Sequence, residues 1–196
     1  MTDKRVARFS RNLQRWLDKA TPHERDLGEC WYETASLQCW MLTSEGRQSL
    51  LDAVAGVVAA LSPGMRWERN IDAARRLLLT GDSGVGYMAN RRKARRIAAG
   101  EAPMDVQRGP KVRAFYTLLR DPTDAHALCL DSIAVLAALG RDPRRSITAD
   151  AGKAAGQPRT MRTVDAAYRR VAAANDLLPH QLQAIVWVAF RNERDR

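Results

Sequence analysis

Apolar residues recur at helical intervals along nearly the whole chain, and no stretch sustains the alternation of a half-buried strand. From Asp3 to Lys19, Phe9, Leu13, Trp16 and Leu17 share one side of a basic amphipathic helix. Thr21-Pro22 is a helix start with proline at the first position, and it opens a second helix that runs through Trp31, Leu37 and Trp40. Ser49 to Leu61 is apolar on almost every face, which predicts a buried central helix ended by the turn Ser62-Pro63-Gly64. Further helices are predicted over Trp67–Leu79, Ala89–Ala99, Pro110–Leu119, Ser132–Leu139, Thr163–Asn175 and Pro179–Arg191. The polar stretch 141–160, with scattered Gly and Pro, reads as the longest loop or a lid. The pattern predicts an all-α fold: one helical domain over 1–196, open to division into two lobes.

Composition narrows the class. At 196 residues and 45% hydrophobic, the chain can fill a sizeable core, which excludes a disordered tail or a disulfide scaffold. The longest apolar run, Leu50 to Leu61, is shorter than the roughly 20 residues a membrane span needs. Met1 to Ser10 is charged and leads into no apolar segment, so no secretory signal is predicted. Cys30, Cys39 and Cys129 are odd in number and widely spaced, which fits a reducing cytoplasm and no metal or iron–sulfur cluster. His23, His126 and His180 have no metal-ligand spacing either. Lys and Arg total 32 against 22 acids, a net charge of +10 that favours polyanionic partners. Only 5 of the 32 are Lys, and that skew is also what a GC-rich genome produces. The stretch Gly81-Asp82-Ser83-Gly84-Val85-Gly86 follows a helix and lacks a preceding strand and a Lys-Ser/Thr ending, so it reads as an interhelical loop rather than a nucleotide site.

Three segments in order carry a family likeness. The first is Ala59-Ala60-Leu61-Ser62-Pro63 with Asn70 and Ala73-Ala74. The second is Tyr87-Met88-Ala89-Asn90-Arg91-Arg92-Lys93-Ala94-Arg95-Arg96-Ile97. The third is Gly109-Pro110-Lys111-Val112-Arg113-Ala114-Phe115, then Leu128-Cys129-Leu130-Asp131-Ser132-Ile133-Ala134 and Gly140. Together they cover about Leu50 to Gly140, and Lys111 precedes Asp131 by 20 residues. This arrangement resembles the helix-hairpin-helix (HhH-GPD) superfamily of base-excision DNA glycosylases, with a likeness to glycosylase-like members from phages and actinobacteria. The resemblance departs in its hairpin and in the turn after Leu-Ser, and the Cys-rich iron–sulfur tail found in some branches of the family is absent. The family hairpin Leu-Pro-Gly-x-Gly is represented by Met104-Asp105-Val106-Gln107-Arg108-Gly109, which keeps only the last glycine and weakens the backbone nest for a phosphate. The family's gap-filling Gln after Leu-Ser is replaced by Gly64-Met65-Arg66.

The resemblance implies a DNA partner, a base extruded from the duplex, and cleavage of the bond between base and sugar. That cleavage develops positive charge on the deoxyribose, which an ionised carboxylate stabilises, and Asp131 stands at the matching position. Asp131 before Ser132 is equally a good helix N-cap, and the two roles are compatible. Lys111 falls at the family's Schiff-base position, which implies an amine nucleophile and abasic-site lyase activity; the alternative is a lysine on phosphate. Trp31, Tyr32, Trp67, Tyr87, Phe115 and Tyr116 are candidate walls for the base, and Met65 or Arg66 a candidate wedge, although aromatics at helical spacing also serve as core. Arg108, Gly109 and Arg113, with Arg91, Arg92, Arg95 and Arg96, are candidate DNA contacts; a solvated face is the alternative for the arginines of the second segment. No cofactor, metal or membrane is implied, and the expected location is the cytoplasm (the host's, for a phage protein). Two further functions share the scaffold: modification of a base without excision, and DNA binding without chemistry.

Overall fold

The structure is a computed structural model that describes residues 2–43, 50–144 and 157–195. Among the described residues it holds eleven helices and no strand, an all-α fold. They are α1 (Thr2–Lys19), α2 (Pro22–Glu29), α3 (Trp31–Met41), α4 (Leu51–Leu61), α5 (Trp67–Thr80), α6 (Met88–Ala98), α7 (Pro103–Val106), α8 (Pro110–Arg120), α9 (Ser132–Leu139), α10 (Pro158–Ala174) and α11 (Pro179–Asp195). Two compact units divide the chain. Residues 1–31 and 128–196 make the first, and 32–127 the second. No helix among the described residues is long and apolar enough to cross a membrane.

The first unit gathers around α9, whose sequence Ser-Ile-Ala-Val-Leu-Ala-Ala-Leu leaves no polar face, so Ala134 to Ala138 are all buried. Phe9, Leu13 and Leu17 of α1, Tyr168 and Val171 of α10, and Leu182, Ile185 and Phe190 of α11 close over it. The C-terminal end of α9 would leave a buried carbonyl unmet, and the buried Asn12 amide donates to Ala138 O at 2.8 Å. In the second unit, α4 is the central helix, buried from Val54 to Leu61, with α5, α6, α7 and α8 packed around it. The same device recurs there: the buried Asn70 amide donates to Val58 O at 3.0 Å, and Ser62 Oγ to Ala59 O at 2.9 Å. Asn70, part of the Leu-Ser…Asn motif, therefore closes the end of the central helix.

Three expectations about elements change. The single helix from Pro22 through Trp40 is two, α2 and α3, parted at Cys30. A Cβ on Gly28 would lie 2.4 Å from Ile185 Cα, so α2 packs backbone to backbone on α11 within the first unit, and the break falls next to the point where the chain passes into the second. A short helix, α7, was not foreseen, because four residues carry no period. Helix α10 begins at Pro158, five residues before the Thr163 start read from the pattern, with the proline at its first position. The predicted 141–160 loop lies largely over 145–156, outside the described residues.

Candidate functional site

Asp131 sits where the chain from buried Leu128 and Cys129 turns into α9. Its backbone is extended (φ −93°, ψ −176°), and its Oδ1 accepts the Ala134 N–H at 2.8 Å, an N-cap bond that meets one orphan donor of the first turn. The other oxygen is held from a distant helix: Trp187 Nε1 donates to Oδ2 at 3.1 Å. Two donors on two oxygens fix the plane of the carboxylate, and each oxygen keeps a further acceptor position. The half-buried Trp187 indole is itself packed. The Arg191 guanidinium carbon lies 4.6 Å from its ring centroid, and the Trp31 ring stands 6.4 Å away, tilted by 56°. Beneath this group, the fully buried Tyr168 hydroxyl donates to Ala134 O at 3.2 Å. Burial and then the Asp131 charge hold that phenol well above its ordinary pKa, so it stays protonated and serves as a fixed donor. The first unit thus brings together a half-buried carboxylate, two indoles and a guanidinium.

Lys111 belongs to the second unit, half-buried in the first turn of α8. Gly109 is the N-cap there with φ −78° and ψ 133°, a backbone that any residue adopts, so no left-handed glycine shapes the link between α7 and α8. Side chains hold it instead. Arg113 donates from Nε to Gln107 O at 2.6 Å and from Nη2 to Met104 O at 2.7 Å, bracing the link between α7 and α8. The buried Gln107 amide ties the same link to α4 through Gly56 O at 2.7 Å. Arg113 is therefore a brace for the hairpin, while Arg108, Gly109 and Pro110 are exposed at the helix start.

The aromatic candidates separate by burial. Tyr32, Phe115 and Tyr116 are 4%, 8% and 3% exposed, which makes them core and leaves no open face on which a base could stack. Phe115 meets Tyr32 and Trp67 edge-on, with centroids 6.3 Å apart in each pair, and the Tyr116 hydroxyl donates to Asp52. Burial, and then that bond, raise the Tyr116 pKa to about 12. Trp67 is half-buried and donates to Gln38 Oε1 at 2.6 Å. Tyr87 is 66% exposed, with its ring end beside Gly64, whose φ of +75° is the conformation that favours glycine in this turn. Next to it, Met65 is half-buried and Arg66 exposed.

The arginines of α6 are more engaged than their spacing suggests. Arg91 and Arg95 both pair with Asp82, at 2.6 and 2.9 Å, and Arg96 pairs with Glu101 at 2.5 Å. The Arg91 bonds, with further help from Gly84 N–H and Arg95, hold the Asp82 carboxyl at a pKa of about 2. These pairs pin the glycine-rich 81–86 loop to α6. Arg92 is exposed and makes no ion pair among the described residues.

Over residues 1–194 the sequence matches the model described as Family of unknown function (DUF7178). The chain belongs to that family. No curated protein and no solved structure matches it. In this DUF7178 member, no local sequence signal marks Trp187 and Arg191 as site residues. They stand four apart on one face of α11, a spacing that places side chains side by side, but only the tertiary fold brings that face to Asp131. Among the described residues, no group of three or more His, Cys, Asp or Glu side chains is placed to hold a metal ion.

Proposed function

We propose that this chain is a DNA-binding enzyme of the base-excision glycosylase type, acting on a base turned out of the duplex. The observation that carries the reading is the Asp131 carboxylate, anchored on both oxygens and flanked by the Trp187 indole. Breaking the bond between base and sugar leaves positive charge on the sugar ring, and a fixed, half-buried carboxylate stabilises it without reorganising. The open acceptor positions on Asp131 suit a second task, orienting the water that attacks the sugar. The half-buried Trp31 and Trp187 rings place aromatic side chains beside the carboxylate, the residue type that lines a pocket for an extruded base. The sequence resemblance supplies the substrate class, and the net charge of +10 supplies attraction to the phosphate backbone.

A second reading, DNA binding without chemistry, is favoured by the burial of Tyr32, Phe115 and Tyr116, which removes half of the aromatic walls the excision reading anticipates. One experiment separates the two. Wild type and Asp131→Asn are incubated with oligonucleotide duplexes bearing damaged and hypermodified bases, and free base is read by mass spectrometry. Release by wild type and its collapse in the variant support excision. Tight binding of every duplex with no base released from any leaves the binding protein.

A further inference from the structure

Helix α1 carries a second cationic feature that the Asp131 and Lys111 chemistry does not use. Lys4, Arg8, Arg11, Arg15 and Lys19 recur every three or four residues, and all five are exposed. At 3.6 residues per turn they fall within an arc of about 80°, a straight stripe roughly 22 Å long. The opposite side of α1 is committed: Phe9, Leu13 and Leu17 are 0%, 0% and 1% exposed in the core of the first unit. A basic amphipathic helix is ordinarily a membrane-surface element, but this one has no apolar face left to insert. Lys4, Arg8 and Arg11 make no ion pair with any described residue. These three unpaired like charges on one helical face repel one another, an arrangement that a polyanion relieves.

The stripe ends in a cavity of about 430 Å³ within the same unit. Arg15 and Lys19 line it from α1, Arg141 and Arg144 from the segment that leaves α9, and Asp142 and Glu193 are its acids. Glu193 binds Lys19 at 2.9 Å and Arg144 at 2.7 Å, so it holds two of the four cations in place around the opening. Asn12 at the cavity wall accepts from Arg15 and donates to Ala138 O, which fixes the Arg15 guanidinium to the end of α9. Lys19, Arg144 and Arg15 are therefore held by side chains of the same unit.

We propose that the α1 stripe and the basic cavity at its C-terminal end form a docking surface for the phosphate backbone of duplex DNA. The proposal rests on the DNA-binding reading and adds to it a contact in the first unit, on residues with no part in the reaction. One cation per turn suits a regularly charged backbone better than the irregular charges of an acidic protein surface. Five phosphate contacts correspond to a slope of about −4.5 in the logarithm of the affinity against the logarithm of salt concentration.

The test is fluorescence anisotropy with the full chain and a labelled unmodified duplex across a salt series, using wild type, Arg11→Gln and Arg8→Gln/Arg11→Gln. Circular dichroism checks the fold, and Arg11→Gln is the safer variant because Arg8 also covers the Phe9 ring at 5.2 Å. The expected result is a slope shallower by about one for the single and about two for the double variant, with affinity reduced for every sequence alike. Wild-type binding with an unchanged slope in both variants overturns the docking surface and leaves the DNA-binding reading standing. No salt-sensitive binding by wild type removes that reading itself. Equal or tighter binding to poly-glutamate or to anionic lipid vesicles, lost in the same variants, overturns the assignment of DNA as the occupant.

Discussion

The Trp187–Asp131 contact can be tested through the stability of the first unit. Replacing Asp131 by Asn keeps one carbonyl oxygen, enough to accept from either Ala134 N–H or Trp187 Nε1–H but not from both. If the amide oxygen caps α9, its NH2 group faces the indole N–H, donor against donor; the flipped amide serves the indole and abandons the cap. An Asp-to-Asn exchange at an isolated N-cap changes stability little, so any sizeable loss here reports the indole bond. Hydrogen bonds to a charged acceptor are worth about 1.5–3 kcal/mol, and this one is half-buried. Urea unfolding of wild type, Asp131→Asn, Trp187→Phe and the double variant forms a cycle that isolates the pair from the ring's packing against Trp31 and Arg191. The expected coupling is about 2 kcal/mol. For a chain of this size that is a drop of about 4–8 °C in melting temperature, present in the Asn variant and largely absent when Phe already occupies 187. A coupling below about 0.5 kcal/mol refutes the argument that α11 anchors the carboxylate, because independent sites add within that margin.

Other consequences follow from single residues. If Lys111 is an amine nucleophile, borohydride traps the protein covalently on DNA carrying an abasic site, and Lys111→Gln abolishes the adduct with the fold intact; trapping that survives the change assigns the nucleophile elsewhere. Gly28→Ala forces a methyl to within 2.4 Å of Ile185 Cα and drives α2 from α11, with an expected cost of about 1–3 kcal/mol in denaturant unfolding; wild-type stability in that variant contradicts the close approach. Of the three cysteines only Cys30 is exposed, while burial pushes the Cys39 thiol up to about 12, so an aromatic disulfide reagent labels one thiol in the native protein and three in guanidinium. Fast labelling of more than one native thiol contradicts the burial of Cys39 and Cys129.

The helices were legible where a segment has one job. Ser132–Leu139 could be bounded to the residue because Asp131 caps it, its interior is wholly apolar, and Gly140 takes the left-handed φ of +70° that ends it. Likewise the uniform apolarity of the stretch before Ser62 marks α4 as a central helix before any contact is known. What the pattern could not carry was set by residues far apart in the chain. The close packing of Gly28 on Ile185 joins residues 157 apart, and a local period has no information about that contact. Pocket and core aromatics share the same helical spacing, so Tyr116 and Tyr87 read alike, yet one is 3% and the other 66% exposed. The arginine-rich face of α6 looked open because its partner Asp82 lies in a loop, outside any helical register. At the candidate site, the cap at Asp131 was legible, because Asp131-Ser132 stands directly before an apolar helix. Trp187, 56 residues further on, was not, although it fixes the second carboxylate oxygen.

The central claim is that the Asp131 carboxylate faces positive charge developing on a deoxyribose. A duplex carrying a protonated pyrrolidine in place of one deoxyribose mimics that charge without requiring knowledge of the base. The decisive measurement is its affinity relative to the same duplex with a neutral tetrahydrofuran at that position, for wild type and for Asp131→Asn at equal salt. Wild type is expected to prefer the cationic sugar by on the order of a hundredfold, about 3 kcal/mol, and Asp131→Asn to bind both duplexes alike. A wild type that does not distinguish the two sugars, or a preference that Asp131→Asn retains in full, contradicts the claim.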